Sequence, residues 1–305
     1  MGRATATRAY TPVGLLAATG GVFSWGIGIV LIKLTTSPFL IVAFWRHVFS
    51  IPIFLAAWAI GRERSLPWRV AGVGGLLFAV HQVAHFSALR YSTAAVVTIF
   101  FSLQPILVGA VSGRLTGEHT TVRFYAWAVL AVGGSAILVL ASSGQPNASA
   151  LGTMLAVLNL LAWTAYYLAT KRARANVGTI PWLLVMLIVS GACVGVAALI
   201  SRQPFAVATQ TEWAYLVAVA LIPGTIGHIL VTWAHPRIHV AASSAVTLAV
   251  PIVAAAGAAV FVDEPFGRWH ALGALVAIGG AAMAMRHLPP AVTEEAAETF
   301  GEVAT

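Results

Sequence analysis

Arg46 stands in the middle of an unbroken apolar run, the ninth residue counting from Pro38. At about 1.5 Å per helical residue it lies about 13 Å along a helix, near the middle of a hydrocarbon layer about 30 Å thick. A charge at that depth costs roughly 2.5–3.5 kcal/mol on insertion scales and calls for a partner. None of the nine carboxylates occupies the centre of an apolar run: Glu63, Glu118, Glu212, Asp263 and Glu264 flank such runs, and the other four lie beyond Thr293. Carbonyls of a neighbouring helix, water, or the anionic group of a bound solute must therefore satisfy Arg46.

His81 and His85 stand one helical turn apart with Gln82 beside them, a spacing that can hold a metal ion or hydrogen-bond a solute or water. A metal would need His47 or His228 as third ligand, with no mid-membrane carboxylate to help, so no metal site is expected. Helix-to-helix packing is the plain alternative. Asn159, Trp163, Tyr166 or Tyr167, and Thr170 recur at helical spacing and give one polar-aromatic face; Gly21, Trp25 and Gly28 form the corresponding face of an earlier run. Such walls suit a small amphiphilic ligand. Thr98 and Ser102 precede Pro105, and Ser244 and Thr247 precede Pro251. Proline removes a backbone donor, so both places are either carbonyl-exposing hinges or simple packing kinks. His228 follows Pro223-Gly224 and can face the same space.

The elements that must position these groups are membrane spans. Of 305 residues, 59% are hydrophobic and 9% charged, and the mean hydropathy is +0.90. A water-soluble fold carries roughly 25% charged residues on average, so lipid must solvate most of this exterior. That excludes cytoplasmic enzymes and secreted domains. The net charge of +8 comes from single or small groups of Lys and Arg between apolar runs, which suits topology rather than nucleic-acid binding. Cys193, alone in an apolar run, permits neither a disulfide framework nor a thiolate cluster and reads as a buried small side chain.

Ten continuous runs are long enough to span as helices: 13–32, 39–60, 68–89, 94–113, 124–141, 151–170, 182–200, 213–234, 240–262 and 269–285. Their continuity argues against a barrel. With the N-terminus inside, twelve basic residues fall on inner segments and four outside (Lys33, Arg90, Arg202, Arg268), favouring two cytoplasmic termini. The first run follows Arg3 and Arg8 like a signal peptide, but lacks a small-residue cleavage site and stays in the mature chain. Residues 288–305, with two prolines and four glutamates, read as a solvated, disordered tail. Asn147-Ala148-Ser149 matches a glycosylation sequon, a weak pattern.

An internal repeat is the strongest signal. Pro105, Glu118 and Gly133-Gly134 are matched 146 residues later by Pro251, Glu264 and Gly279-Gly280. Ala88 and Ala95 match Ala234 and Ala241 at the same offset, while Trp25 and Lys33 match Trp163 and Lys171 at 138. Five spans per copy is an odd number, so the second copy is inverted, with Lys33 outside and Lys171 inside. The expected organisation is a cytoplasmic segment at 1–12, a first five-helix repeat at 13–142, a linker at 143–150 and a second repeat at 151–287. Glu118 and Glu264 fall in matching helix-end loops on opposite faces and read as exposed charge, with capping or gating salt bridges as the alternative.

The stretch from Trp25 to Lys33, then Ala88, Ala95, Pro105, Glu118 and Gly133, and their second copies, resemble the EamA-type domain of the drug/metabolite transporter superfamily over about residues 13 to 287. The resemblance implies an all-α membrane fold of ten helices around a central cavity, and export or exchange of small metabolites. Amino acid exporters, including those for aromatic amino acids, are one similar branch. Small multidrug exporters of the superfamily use a buried glutamate, absent here, so a neutral or zwitterionic solute is expected. Proton coupling through histidine is the alternative, since its pKa lies near neutrality. A membrane enzyme is another: it needs an intramembrane nucleophile and base, carboxylate pair or metal cluster. None is evident, and Gly26-Ile27-Gly28 lacks the third glycine of a dinucleotide fingerprint. The candidate cavity residues are Trp25, Arg46, His81, His85, Thr98, Ser102, Asn159, Trp163, Tyr166, His228, Ser244 and Thr247. No catalytic residue and no cofactor is expected. The expected setting is the cell (inner) membrane, with lipid and a small-molecule substrate as partners, no nucleic acid, and a monomer or homodimer.

Overall fold

The computed structural model describes residues 9–143, 149–207 and 209–290. The sequon at Asn147 and most of the acidic tail lie outside the described residues. In chain order the helices are α1 (Pro12–Lys33), α2 (Phe39–Ile60), α3 (Trp68–Tyr91), α4 (Ala94–Ser102), α5 (Gln104–Leu115), α6 (Val122–Ser143) and α7 (Ala150–Ala173). They continue as α8 (Thr179–Ile200), α9 (Gln210–Val219), α10 (His228–Ala234), α11 (Val240–Val246), α12 (Val250–Phe261) and α13 (Arg268–Arg286). Among the described residues nine helical stretches are long and apolar enough to cross a membrane; α4–α5, α9–α10 and α11–α12 each count as one. The remaining helix, α13, carries Arg268, His270 and Arg286 at its ends and is not among the nine.

Burial follows the lipid-solvated pattern. Leu16, Ile60, Val122, Met154, Ile200 and Leu275 are exposed on outer faces, while Trp182, Phe54, Phe78 and Tyr167 are packed inside. Lipid tails are as apolar as leucine, so close approach of small residues must drive helix pairing. The tight seam between α6 and α13 shows this. A Cβ on Gly134 would sit 2.4 Å from the backbone nitrogen of Ala277, and one on Gly280 would sit 2.7 Å from that of Ala131. Gly134 and Gly280, like Ala131 and Ala277, stand 146 residues apart, so the contact is reciprocal.

Both expected proline breaks occur. The helix parts at Leu103, ahead of Pro105, and tightens to a 3-10 turn over Thr247–Ala249, ahead of Pro251. A third irregularity goes beyond the sequence reading: Ala220–Gly227, around Pro223, forms a wide π turn between α9 and α10. Proline cannot keep the regular ladder, and the carbonyl of Ala220 is met instead by Ser50 Oγ at 3.1 Å and Thr225 Oγ1 at 2.9 Å.

Loop contacts define two ends of the bundle. At the terminal end Tyr10 bridges Ile238, Thr121 donates to the carbonyl of His287, and Glu63 accepts from the backbone of Gly178. At the opposite end Ser149 donates to the carbonyl of Tyr91, and Glu212 accepts from the backbone N–H groups of Thr36 and Ser37.

Candidate functional site

A cavity of about 170 Å³ lies between α1, α2, α3, α4, α7, the π turn with α10, and α12. Trp25, Arg46, His81, His85, Thr98, Trp163 and His228 line it. Its lining reaches Ile32 and Phe86 near the opposite end; the lining residue of α7, Trp163, is eight residues short of Lys171 at the terminal end. The indoles of Trp25 and Trp163 meet edge to face, centroids 5.5 Å apart. His81 lies 4.7 Å from the Trp163 ring, and His228 lies 5.3 Å from that of Trp25. Gly227 makes this possible, since a Cβ there would fall 2.7 Å from the Trp25 indole.

Arg46 enters between α2 and the π turn, where a Cβ on Gly224 would meet its stem at 2.9 Å. Its guanidinium carbon stands 5.6 Å from the centre of the Phe78 ring, within cation–π range. Its Nε and Nη2 are buried without a hydrogen-bond partner, as are the indole Nε1 of Trp25 and Trp163 and the Oε1 of Gln82. Leaving such groups unmet costs about 1–3 kcal/mol each, more for a charged one. The cavity thus offers several donors, one of them cationic, beside aromatic faces.

The other five expected residues lie off the lining. Ser102 donates to the carbonyl of Thr98 and Ser244 to that of Ala241, each at 2.9 Å. Thr247 Oγ1 is 2.6 Å from the carbonyl of Ser244 and 2.9 Å from Gln104 Oε1. These hydroxyls satisfy helix groups near the proline breaks. Tyr166 packs on Phe78, centroids 4.9 Å apart, and Asn159 reaches His85 Nδ1 at 3.4 Å from behind. Sequence reasoning passed over Phe78 and Phe101, both in the wall. Phe78 lies three and seven residues before His81 and His85, so one helical face carries all three. His47 is not part of the cavity: its Nδ1 meets the carbonyl of Ala43 at 2.6 Å and its Nε2 meets Ser190 Oγ at 2.8 Å. Among the described residues no group of three His, Cys, Asp or Glu side chains could hold a metal ion. Cys193 is half-buried rather than buried.

The reading of Glu118 as exposed charge is corrected by the structure, which seals it in an ion pair, while Glu264 is exposed as expected and also ion-paired. Lys33 Nζ contacts the two carboxylate oxygens of Glu264 at 2.7 and 2.8 Å. Lys171 Nζ lies 2.7 Å from Glu118 Oε1 and also donates to the carbonyls of His235 and Ile238. Glu118 Oε2 accepts from the backbone of Val240 at 2.7 Å. Each lysine pairs across the repeat offset, and the two pairs lie at opposite ends of the bundle.

The helices, their apolar exterior and the aromatic-walled cavity between them define a membrane protein of many spans. The EamA-like transporter family matches residues 12–140 and 150–286. The chain belongs to this family, and is therefore a multi-pass membrane protein of a transporter rather than an enzyme family. It is 30% identical over 177 residues to a protein of Ancylobacter novellus named aromatic amino acid exporter YddG, covering 55% of this chain and 58% of that relative. The match therefore spans less than two thirds of the relative's length. A solved crystal structure superposes with a TM-score of 0.75 at 23% identity, covering 89% of this chain and 97% of that one. That likeness concerns the fold.

Proposed function

We propose that the protein exports or exchanges small metabolites, amino acids foremost, by alternating access between two inverted five-helix repeats, with α13 as a tenth span. Residues 13–142 and 151–287 are the two repeats. The carrying observation is the meeting of Trp25 and Trp163, equivalent repeat positions, in the wall of a cavity where the Arg46 guanidinium has unmet donors. The reciprocal contacts of Gly134 with Ala277 and Gly280 with Ala131 support a pseudo-twofold axis, as do the exchanged Lys–Glu pairs. A ligand carboxylate would accept from Arg46 while its side chain lies against the indoles. The relative's name, aromatic amino acid exporter, fits that division. With both termini cytoplasmic, the cavity reaches toward the outside and the terminal end is shut, the outward-facing arrangement of such a cycle.

The test is flux in liposomes, screened across amino acids with and without a pH gradient. Arg46→Gln is expected to lower flux about tenfold or more without reducing membrane insertion, since a charged hydrogen bond is worth about 1.5–3 kcal/mol, and Trp163→Ala to lower it by removing the aromatic wall. His81→Ala lowers it as well. Uptake equal to empty vesicles for every solute, in demonstrably folded protein, eliminates the transport reading. A second reading, histidine-dependent proton coupling, is favoured by His81, His85 and His228 in one wall. It predicts flux driven by the pH gradient; flux indifferent to the gradient removes it.

A further inference from the structure

A larger cleft, about 640 Å³, opens at the terminal end between the end of α2, the connection from α2 to α3, the turn from α7 to α8, and the turn after α10. It is separate from the central cavity and shares no lining residue with it. Three arginines, Arg62, Arg174 and Arg237, line it against one carboxylate, Glu63. The guanidinium carbon of Arg237 lies over the Trp233 ring, 3.7 Å from its centre, and its Nη1 donates to the carbonyl of Trp233 at 2.8 Å. Arg174 donates its Nε to the carbonyl of Thr232 at 3.2 Å and its Nη1 to that of Val177. Each of these two guanidiniums carries five N–H groups. Among the described residues, their remaining N–H groups meet no protein acceptor. The indole N–H of Trp58, which lines the same cleft, is buried without a partner. Glu63 is committed in part to the backbone of Gly178, at 3.3 Å.

Two half-buried guanidiniums held in one cleft disfavour each other. Burial, and then the neighbouring Arg237, lower Arg174 to about 10, with Glu63 opposing. An oxyanion between them would relieve the repulsion and take up the free donors, and phosphate matches the guanidinium fork. Depth identifies its source. Trp58 lies two residues before the end of α2, Arg174 directly follows α7, and Arg237 closes the span that begins at Gln210. That is the level of lipid headgroups, where tryptophan and arginine gather. Apolar side chains of Ile180 and Pro181 share the cleft wall, and Ile60 beside it is fully outward.

We propose that this cleft is a binding site for the phosphate of an anionic phospholipid, with Arg62, Arg174 and Arg237 holding the headgroup and Trp58 and Trp233 flanking its glycerol. The site is independent of what the central cavity carries, so it stands or falls apart from the transport reading. The test is native mass spectrometry of the full chain in detergent, titrated with phosphatidylglycerol, phosphatidylcholine or inorganic phosphate. Phosphatidylglycerol is expected to bind at least about tenfold more tightly than phosphatidylcholine, and equal concentrations of inorganic phosphate do not displace it. Arg237→Gln and Arg62→Gln are each expected to weaken phosphatidylglycerol binding about tenfold, the size of a lost charged hydrogen bond. Glu63→Gln leaves it as tight or tighter. Arg62 is exposed, so its variant keeps the test decisive should Arg237→Gln misfold. Wild-type affinity in folded Arg62→Gln and Arg237→Gln, or equal binding of phosphatidylcholine, overturns the site; displacement by inorganic phosphate overturns the lipid as its occupant.

Discussion

The two ends of the bundle use the same ion pair in opposite surroundings. Lys33 and Glu264 retain 44% and 39% of their side-chain exposure, whereas Lys171 and Glu118 retain 11% and 10%. At the opposite end the pair is a solvent-exposed contact of Lys33 Nζ with both carboxylate oxygens of Glu264. At the terminal end all three N–H groups of Lys171 find acceptors, and Glu118 also accepts from Val240. Residues at matched repeat positions thus make one surface pair and one sealed pair. The difference lies in the packing around them: the cavity reaches toward the first pair and stops short of the second.

The largest effect is expected from breaking the sealed pair. Lys171→Met leaves Glu118 without its cation in a nearly dry site, which costs about 3–5 kcal/mol. Thermal unfolding in detergent should show a marked fall, and the double variant Lys171→Met, Glu118→Gln should recover most of it. A Lys171→Met protein as stable as wild type would break the comparison.

A smaller effect should follow from acid. His239, in the short turn before α11, lies 3.8 Å from Glu118; its Nδ1 accepts from the backbone of Ala241 and its Nε2 meets the carbonyl of His119, each at 3.1 Å. Those bonds fix the neutral ring, and burial lowers its pKa below the ordinary value despite the pull of Glu118. A lowered histidine favours the fold above its unfolded pKa, about 6.5. That contribution is lost as pH falls through the window between the unfolded and folded values. Unfolding temperature should therefore drop as pH is lowered from 7 toward 5, and His239→Gln should flatten the drop. An unchanged slope in the variant would remove His239 from the seal.

The smallest effect belongs to the exposed pair. Lys33→Gln should change stability by no more than about 1 kcal/mol, as exposed ion pairs do. High salt should mask even that. A loss matching that of Lys171→Met would mean that both ends are equally sealed.

The apolar runs and the two proline breaks were legible because each leaves a one-dimensional trace: length, composition, and a missing donor at Pro105 or Pro251. Trp25 and Trp163, singled out by the sequence offset, meet edge to face in the cavity wall. What sequence could not show was which face of a helix turns inward. Ser244 and Thr247 satisfy their own helix instead of lining the cavity, a choice that depends on the 3-10 turn over Thr247–Ala249. Phe78 is an apolar residue among many until Arg46 of α2, Tyr166 of α7 and His228 of α10 close around it. The π turn could have been suspected from Pro223-Gly224, but its width rests on Ser50 of another helix. The ion pairs join residues 231 positions apart (Lys33 and Glu264) and 53 apart (Lys171 and Glu118), so only the folded bundle reveals them.

Inversion of the repeats is the claim on which the rest depends, and sidedness tests it. With Cys193 replaced by Ser, Lys33→Cys and the exposed Arg172→Cys, next to Lys171, are placed singly in sealed vesicles. They are probed with a membrane-impermeant thiol reagent before and after permeabilisation. The account predicts that one site reacts in intact vesicles and the other only after permeabilisation. Labelling of both from the same side would contradict it.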